Sequence, residues 1–329
     1  MLHYPDDVRL PWLAHPVLAL GNFDGLHRGH LKIIERVKRG AAERGGTPMA
    51  MTFDPHPPRV VRPDKAPPLL MTKEQKLEAL RQAGVAAVAV VRFTPEISRW
   101  DPETFARTVL VEWLRVSEVW VGANFLFGHG RSGNFSLLRL LGQRYGFRAE
   151  KIDPVRYKDF VVSSTRVRRL VSEARMDEAG ALLGHPYYID GVIVEGRKRG
   201  RQIGFPTANL RTTNELIPPH GVYATTLTLD GVVHAAVTNI GVNPTFGDLQ
   251  EAAIETHVLH LRDWGFGVRD SASIPDSRSA IPELYGRRVR VGFVQRLRDE
   301  RHFDNVDALR AQIDADVRRA ERLFSRISV

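Results

Sequence analysis

The segment Gly21-Asn22-Phe23-Asp24-Gly25-Leu26-His27-Arg28-Gly29-His30 gathers two imidazoles, a carboxylate, a guanidinium group and three glycines into one stretch. It follows a short apolar run, Val17–Leu20, and precedes apolar residues at Leu31, Ile34 and Val37, the spacing of one helix face. A helix N-terminus presents unpaired amides and the positive end of the helix dipole. Glycines let a polyphosphate approach the backbone, and imidazoles at i and i+3 share a face. These parts suit phosphate chemistry. The Gly-Lys-Ser/Thr of a P-loop is absent, the glycine spacing is not a dinucleotide fingerprint, and no third ligand adjoins the histidines to make a metal site. The same residues would also serve simply to cap a helix and shape a turn.

Two more segments of the first half carry polar groups at strand or helix ends. In Val162-Ser163-Ser164-Thr165-Arg166-Val167-Arg168, hydroxyls and amides at a helix start can hold phosphate oxygens, and Arg168, about one turn on, offers a guanidinium fork. Read alone, it is equally an N-cap followed by a solvated basic face. Gly122-Ala123-Asn124-Phe125-Leu126-Phe127-Gly128 follows a predicted strand, so Asn124 and the two phenylalanines can face the same strand-end crevice or simply enter the core.

The elements that must position these groups alternate. Strands are predicted at Val17–Leu20, Pro48–Phe53, Val85–Phe93, Glu118–Val121 and near Ala149–Asp153. Helices are predicted over 29–39, Lys73–Ala83, roughly 102–115, a segment opened by Ser136, and Thr165–Ala174. Such alternation implies right-handed crossovers and a Rossmann-like, doubly wound parallel sheet with ligands at the carboxyl ends of its strands. From Tyr187 the texture becomes β-rich: Tyr187–Glu195, Val222–Leu229, Val232–Ile240, Ala253–Leu261 and Arg288–Arg296, with Asp230-Gly231 a two-residue hairpin turn. These strands predict a small antiparallel β-barrel. A C-terminal helix with apolar Val306, Leu309, Ile313, Val317 and Leu323, opened by Asp304, packs on it. The expected domains are 1–184 and 185–329.

Length and composition agree with that division. The chain has 329 residues, beyond the roughly 250–300 at which one core stops growing. Its longest apolar run, Val85–Val91, is far short of the about 20 residues of a membrane span. The opening MLHYPDD has no basic n-region or apolar h-region, so the expected address is the cytoplasm. There is no cysteine, which excludes disulfides, thiolate nucleophiles and cysteine zinc sites. The formal net charge is +9, and 39 of the 47 basic residues are arginine. Residues 1–183 hold 28 basic and 20 acidic side chains, against 19 and 18 in residues 184–329, so the excess belongs to the first half.

GNFDGLHRGH, TFDPHP (Thr52–Pro57), GANFLFG and VSSTRVR resemble the ordered motif set of prokaryotic FMN adenylyltransferases, members of the nucleotidylyltransferase superfamily with an HxGH-type signature. The second half resembles the riboflavin kinase module through Gly196–Asn209 (GRKRGRQIGFPTAN), Gly221-Val-Tyr, Asn239–Phe246 (NIGVNPTF), Glu255-Thr-His and Leu284-Tyr-Gly286. Nearly the full chain is similar to the bifunctional riboflavin kinase/FAD synthetase family. That resemblance implies two steps: riboflavin and ATP to FMN and ADP, then FMN and ATP to FAD and pyrophosphate, with ATP as co-substrate and Mg²⁺ in both.

By the same resemblance His27, His30 and Arg168 carry the adenylyl transfer, with Gly21, Phe23, Asp24, Asn124, Ser164 and Thr165 holding ATP and its phosphates and Phe125 and Phe127 beside the flavin. In the kinase half it implies Glu255 as the base on the riboflavin 5′-hydroxyl. It likewise implies Gly196, Gly200, Arg201 and Gly204 as a phosphate loop, Thr207 and Asn209 as Mg²⁺ ligands, and Asn239 and Thr245 at the flavin. Without it, the run Arg197–Arg201 is a solvated basic patch, Pro206-Thr207 starts a turn, and Glu255 is an exposed strand residue.

The departure from the family is Arg262–Glu283, long, aperiodic and rich in Ser, Pro and charge, where relatives have a short connection. A long surface loop costs little entropy. A narrower reading keeps only adenylyl transfer, with the kinase weakened by this insertion. A basic nucleic-acid-binding protein is the reading from another class, but no zinc finger, RNP-like motif or long basic helix supports it, and neither nucleic acid nor membrane is expected as a partner. A class I tRNA synthetase shares the HxGH-like turn but has a KMSKS-like loop, which is missing. The oligomeric state is not legible.

Overall fold

All four residues of β2 (Val17–Leu20) are buried, as expected of a strand covered on both faces. The structure, a computed structural model, describes residues 1–8, 11–196, 204–243, 251–259 and 284–327. Two compact units divide the chain, Met1–Arg166 and Val167–Val329. In the first, β2 lies in a six-stranded sheet with β1 (Leu2–Tyr4), β3 (Pro48–Asp54), β4 (Ala87–Arg92), β5 (Glu118–Val121) and β6 (Arg148–Lys151). The order is β1-β4-β3-β2-β5-β6, every pair parallel. Strand order reverses at β2, between β3 on one side and β5 on the other. Crossovers therefore leave in opposite directions there and open a crevice at the strands' carboxyl ends.

Helix α1 (Arg28–Arg44) starts at that crevice, buries Ile33, Ile34, Val37 and Ala41 against the sheet, and stops at Gly45, whose φ of 60° is left-handed. Helix α2 (Lys73–Gln82) opens with a capping box between Thr72 and Gln75. Leu18, Leu20, Met49, Met51, Val119 and Val121 lie at the centre of the core.

Several element boundaries differ from expectation. The predicted helix over 102–115 is one α-turn, Pro102–Phe105, capped by Asp101, followed by π-helical turns over Ala106–Trp113. Helix α3 (Phe135–Tyr145) is opened by Asn134, not Ser136: Asn134 Oδ1 accepts from Leu137 N at 3.0 Å. Strand β1, too short for a period to show, was not expected, nor was helix α5 (Met176–Leu183), which follows α4 (Ser164–Ser172). Helix α5 packs on two strands of the second unit, so it groups with that unit although it precedes the expected boundary at 184.

The second unit is a closed barrel of β7 (Tyr187–Val194), β8 (Ala208–Thr212), β9 (Gly221–Leu229), β10 (Val232–Asn243), β11 (Glu251–Val258) and β12 (Arg288–Arg298). Its order is β7-β8-β11-β10-β9-β12, all antiparallel and closing β12 on β7. The Asp230-Gly231 hairpin forms with φ of 50° and 83°, as a type I′ turn demands. Strand β8 is outside the predicted set: it opens inside the Gly196–Asn209 motif and is only five residues long. Buried Tyr223, Thr225, Thr238, Thr256, Ile240 and Phe293 fill the interior.

Helix α6 (Val306–Phe324) covers part of the outer face through Val317, Ala320, Leu323 and Phe324 against Val222, Ala224, Val237 and Leu297. Its cap is Asn305, whose Oδ1 accepts from Ala308 N at 2.8 Å, one residue after the expected Asp304. Gly200, Arg201, Thr245 and the segment 262–283 lie outside the described residues.

Candidate active sites

A cavity of about 320 Å³ opens at the sheet's reversal point. Gly21 at the end of β2, His27, Gly29 and His30 at the start of α1, Asn124 and Phe125 after β5, Asp153 and Pro154 after β6, and Ser163, Ser164 and Thr165 at the start of α4 line it. Four separate pieces of sequence converge because each follows a strand or opens a helix at the same edge.

His27 is the N-cap of α1, its Nδ1 accepting from His30 N at 3.3 Å. That bond puts the ring proton of the neutral form on Nε2. The two imidazoles stack, with centroids 3.7 Å apart and planes 12° from parallel. Phe23, fully buried, meets His30 edge-on at 5.2 Å. Burial pushes His30 well below the ordinary imidazole range, and the neighbouring His27 and Lys76 push the same way. His30 Nδ1 is buried without a hydrogen-bond partner.

Asp24 points elsewhere. Its carboxylate accepts from Leu70 N at 3.0 and 3.2 Å and from Met71 N at 3.2 Å, and its carbonyl accepts from Ser164 Oγ at 2.8 Å. Asp24 thus ties the histidine turn to the segment before α2 and to the start of α4. Ser163 Oγ accepts from Arg166 N at 3.3 Å, capping α4. Thr52, in the TFDPHP segment, donates to Asn22 O at 3.1 Å.

Of the residues singled out in this half, Gly21, His27, His30, Asn124, Phe125, Ser164 and Thr165 line the cavity. Phe23 lies behind His30, and Asp24 is turned to the amides of Leu70 and Met71. Phe127 is 8% exposed and belongs to the core, stacked on Phe125 with centroids 5.4 Å apart. Arg168 is on α4, in the second unit. Sequence reading missed Lys76, whose ammonium donates to Phe53 O at 3.4 Å and whose pKa is lowered, chiefly by burial. A lysine on an amphipathic helix carries no signal in the sequence that it turns inward.

In the barrel, register brings together three residues from distant motifs. Asn209 on β8 pairs with Glu255 on β11, and Glu255 pairs with Asn239 on β10. Directly opposed residues share a face. Ala208, Leu210, Ile254, Thr256, Thr238 and Ile240 on either side are buried in the interior, so Asn209, Glu255 and Asn239 form a row on the outer face. Gly196 adjoins this row: a Cβ there would fall 2.1 Å from Asn209 Nδ2. Thr207 lies two residues before Asn209, and His257 Nδ1 pairs with Pro206 O at 2.9 Å. Gly204 precedes Thr207 with a φ of 89°. Among the described residues no cluster of His, Asp and Glu suited to a metal ion occurs.

A parallel sheet with paired histidines at its reversal point, followed by a barrel bearing a carboxylate between two amides, defines a two-module nucleotide-dependent transferase. The FAD synthetase family matches residues 12–166 and the riboflavin kinase family residues 183–324. The bifunctional riboflavin kinase/FMN adenylyltransferase of Escherichia coli K12 is 35% identical over 309 residues, covering 94% of this chain and 92% of that protein. That of Listeria monocytogenes is 33% identical over 99% of this chain and 98% of its own length. The solved structure of a macrolide-efflux protein from Streptococcus pneumoniae is similar, with a TM-score of 0.80 at 25% identity over 96% of each chain. No helix among the described residues is long and apolar enough to cross a membrane. The chain belongs to the bifunctional riboflavin kinase/FMN adenylyltransferase family, and it is an enzyme with both activities.

Proposed function

We propose that the first-unit cavity transfers AMP from ATP to FMN, that the outer face of the barrel phosphorylates riboflavin, and that the functional boundary falls after Gly184. The carrying observation is the stacked His27–His30 pair at the head of α1, inside a cavity whose other walls come from three further strand or helix ends. ATP's β- and γ-phosphates lie at the α1 N-terminus, where unpaired amides and the helix dipole meet negative charge. A phosphate oxygen of FMN attacks the α-phosphorus, the bond to the β-phosphate oxygen breaks, and pyrophosphate leaves. His27 donates through Nε2 to the departing phosphates. His30, held neutral by burial, adds a second ring donor. Ser164 spends its hydroxyl proton on the Asp24 carbonyl, so it positions the turn, while Thr165 and Asn124 are left to reach the nucleotide. Alignment and fixed donors carry the rate, since no covalent enzyme intermediate is required.

On the barrel, Glu255 accepts the proton of the riboflavin 5′-hydroxyl as that oxygen attacks the γ-phosphorus and ADP leaves. The residues present fit a magnesium ion. Thr207 and Asn209 offer neutral oxygens, Gly196 has no side chain to push the Asn209 amide out of its row, and Mg²⁺ takes few protein ligands when phosphates complete its shell. When bound, Mg²⁺ would neutralise charge on the transferring phosphates. The test is chromatographic: riboflavin, ATP and Mg²⁺ should yield FMN first and FAD after it, and unconsumed riboflavin would overturn the kinase assignment.

A further inference from the structure

Strand β8 begins at Ala208, and its pairing with β11 sets Ala208 opposite Thr256, Asn209 opposite Glu255 and Leu210 opposite Ile254. Asn209 is thus placed beside Glu255 by the sheet itself. Thr207, the other neutral oxygen offered to magnesium, lies one residue outside the strand, where antiparallel alternation puts it opposite His257. The residue before it is Pro206, which has no N–H to give to a neighbouring strand. The chain reaches Pro206 through the bend at Gly204, whose φ is 89°. The turn that carries Thr207 therefore needs a hold other than the ladder that fixes Asn209.

His257 supplies that hold. Its Nδ1 lies 2.9 Å from Pro206 O, and its ring meets Phe205 edge-on, with centroids 5.4 Å apart and planes at 80°. Pro206 is buried, and Phe205, Thr207 and His257 are half-buried around it. A carbonyl oxygen only accepts, so Nδ1 carries the proton and Nε2 of the neutral ring is left an acceptor. An acceptor does not bind a phosphate oxygen, and Mg²⁺ prefers oxygen ligands, so the neutral ring acts through the turn rather than on the substrates. His257 stands two residues past Glu255, on the same face of β11. One strand thus carries both the carboxylate and the ring that fixes the turn opposite it.

We infer that His257 is a positioning residue of the kinase site: with Nδ1–H on the Pro206 carbonyl and its ring against Phe205, it fixes the turn bearing Thr207 and sets that oxygen in line with Asn209 for the magnesium ion. This rests on the riboflavin kinase reading of the barrel. The hold acts on the metal and on the ATP that comes with it. Riboflavin, whose hydroxyl meets Glu255 on the strand itself, does not depend on it.

The experiment compares the full-length chain with H257A, H257N, H257Q, T207A and the H257A/T207A double variant by two readouts. One is Mn²⁺ binding in the presence of ADP, followed by electron paramagnetic resonance; the other is the initial rate of riboflavin phosphorylation at varied Mg²⁺, ATP and riboflavin. Far-UV circular dichroism and FMN-to-FAD conversion are the folding controls, and any metal taken by the first unit is common to all the variants. In H257A the Mn²⁺ affinity should fall about five-fold or more, as expected for losing one hydrogen bond. The Mg²⁺ requirement and KM for ATP should rise with it, while KM for riboflavin stays unchanged. Asparagine places an amide N–H where Nδ1 stands, so H257N should recover most of the affinity; glutamine places it one atom farther out, so H257Q should recover little. The double variant should bind Mn²⁺ no more weakly than T207A, because both residues act through one oxygen. Unchanged Mn²⁺ affinity in H257A, equal affinities in H257N and H257Q, or additive losses in the double variant overturn the inference. Failure of the wild-type chain to phosphorylate riboflavin would instead overturn the kinase reading beneath it.

Discussion

His27 Nδ1 accepts the backbone N–H of His30 at 3.3 Å while the two rings stack at 3.7 Å, so one histidine caps the helix on which the other stands. The capping bond places the ring proton of a neutral His27 on Nε2. His30 is held well below the ordinary imidazole pKa by burial, with His27 and Lys76 adding to it. The sign follows directly. The unfolded chain takes up this proton near pH ~6.5, the folded protein only at lower pH. The stabilisation of the neutral form is therefore present above that value and is lost as pH falls through the folded pKa.

Adenylyl transfer should accordingly be flat through neutral pH and decline on the acid side. In Lys76→Met a positive charge that disfavours His30 protonation is gone, so the acid limb of the FMN-to-FAD rate profile should move to higher pH. A limb that stays put or moves lower contradicts the assignment.

Asp24→Ala leaves the Leu70 and Met71 amides without their acceptor in a buried place. It should cost about 1–3 kcal/mol of stability in urea unfolding. FAD formation should fall by at least ten-fold, because the same residue sets the histidine turn, with riboflavin phosphorylation unaffected. A thermally and chemically silent variant would mean the amides find another acceptor.

Gly196→Ala puts a methyl group 2.1 Å from Asn209 Nδ2, forcing that side chain out of its row. Steady-state assays should show FMN production falling at least ten-fold and a raised Mg²⁺ requirement, while supplied FMN is converted to FAD at the normal rate. Equal Mg²⁺ dependence in variant and wild type would remove Asn209 from the metal assignment.

Asp316 is 5% exposed and clamps Arg298 through two oxygens, with Gln312 Nε2 donating to Oδ1 at 2.9 Å. Removing one partner strands a largely buried charge, so Asp316→Ala should destabilise the barrel unit by about 3–5 kcal/mol. Calorimetry resolves this as a lowered transition for the second unit alone. An unchanged transition would show that the arginine finds water.

The alternation of strand and helix was legible because β2 and β4 are apolar runs and α1, α2 and α6 keep a helical period. Strand β8 was not, since Ala208–Thr212 alternates over too few residues and opens inside a motif. Among site residues, those whose role depends on a strand or helix end, such as His27, Asn124 and Thr165, could be placed from sequence. Those whose role depends on tertiary direction could not. Nothing in GNFDG says that Asp24 turns toward Leu70, or that Phe127 rather than Phe125 enters the core. The juxtaposition of Asn209, Glu255 and Asn239 needed strand register, which no single segment encodes.

Two chemically independent sites, one in each half of the chain, are what the proposed reactions require. Following riboflavin, FMN and FAD over time in the His30→Ala and Glu255→Gln variants tests this independence most directly. His30→Ala should accumulate FMN with little FAD, and Glu255→Gln should leave riboflavin untouched yet convert supplied FMN to FAD. Normal FAD synthesis by His30→Ala, or riboflavin phosphorylation retained in Glu255→Gln, would contradict it.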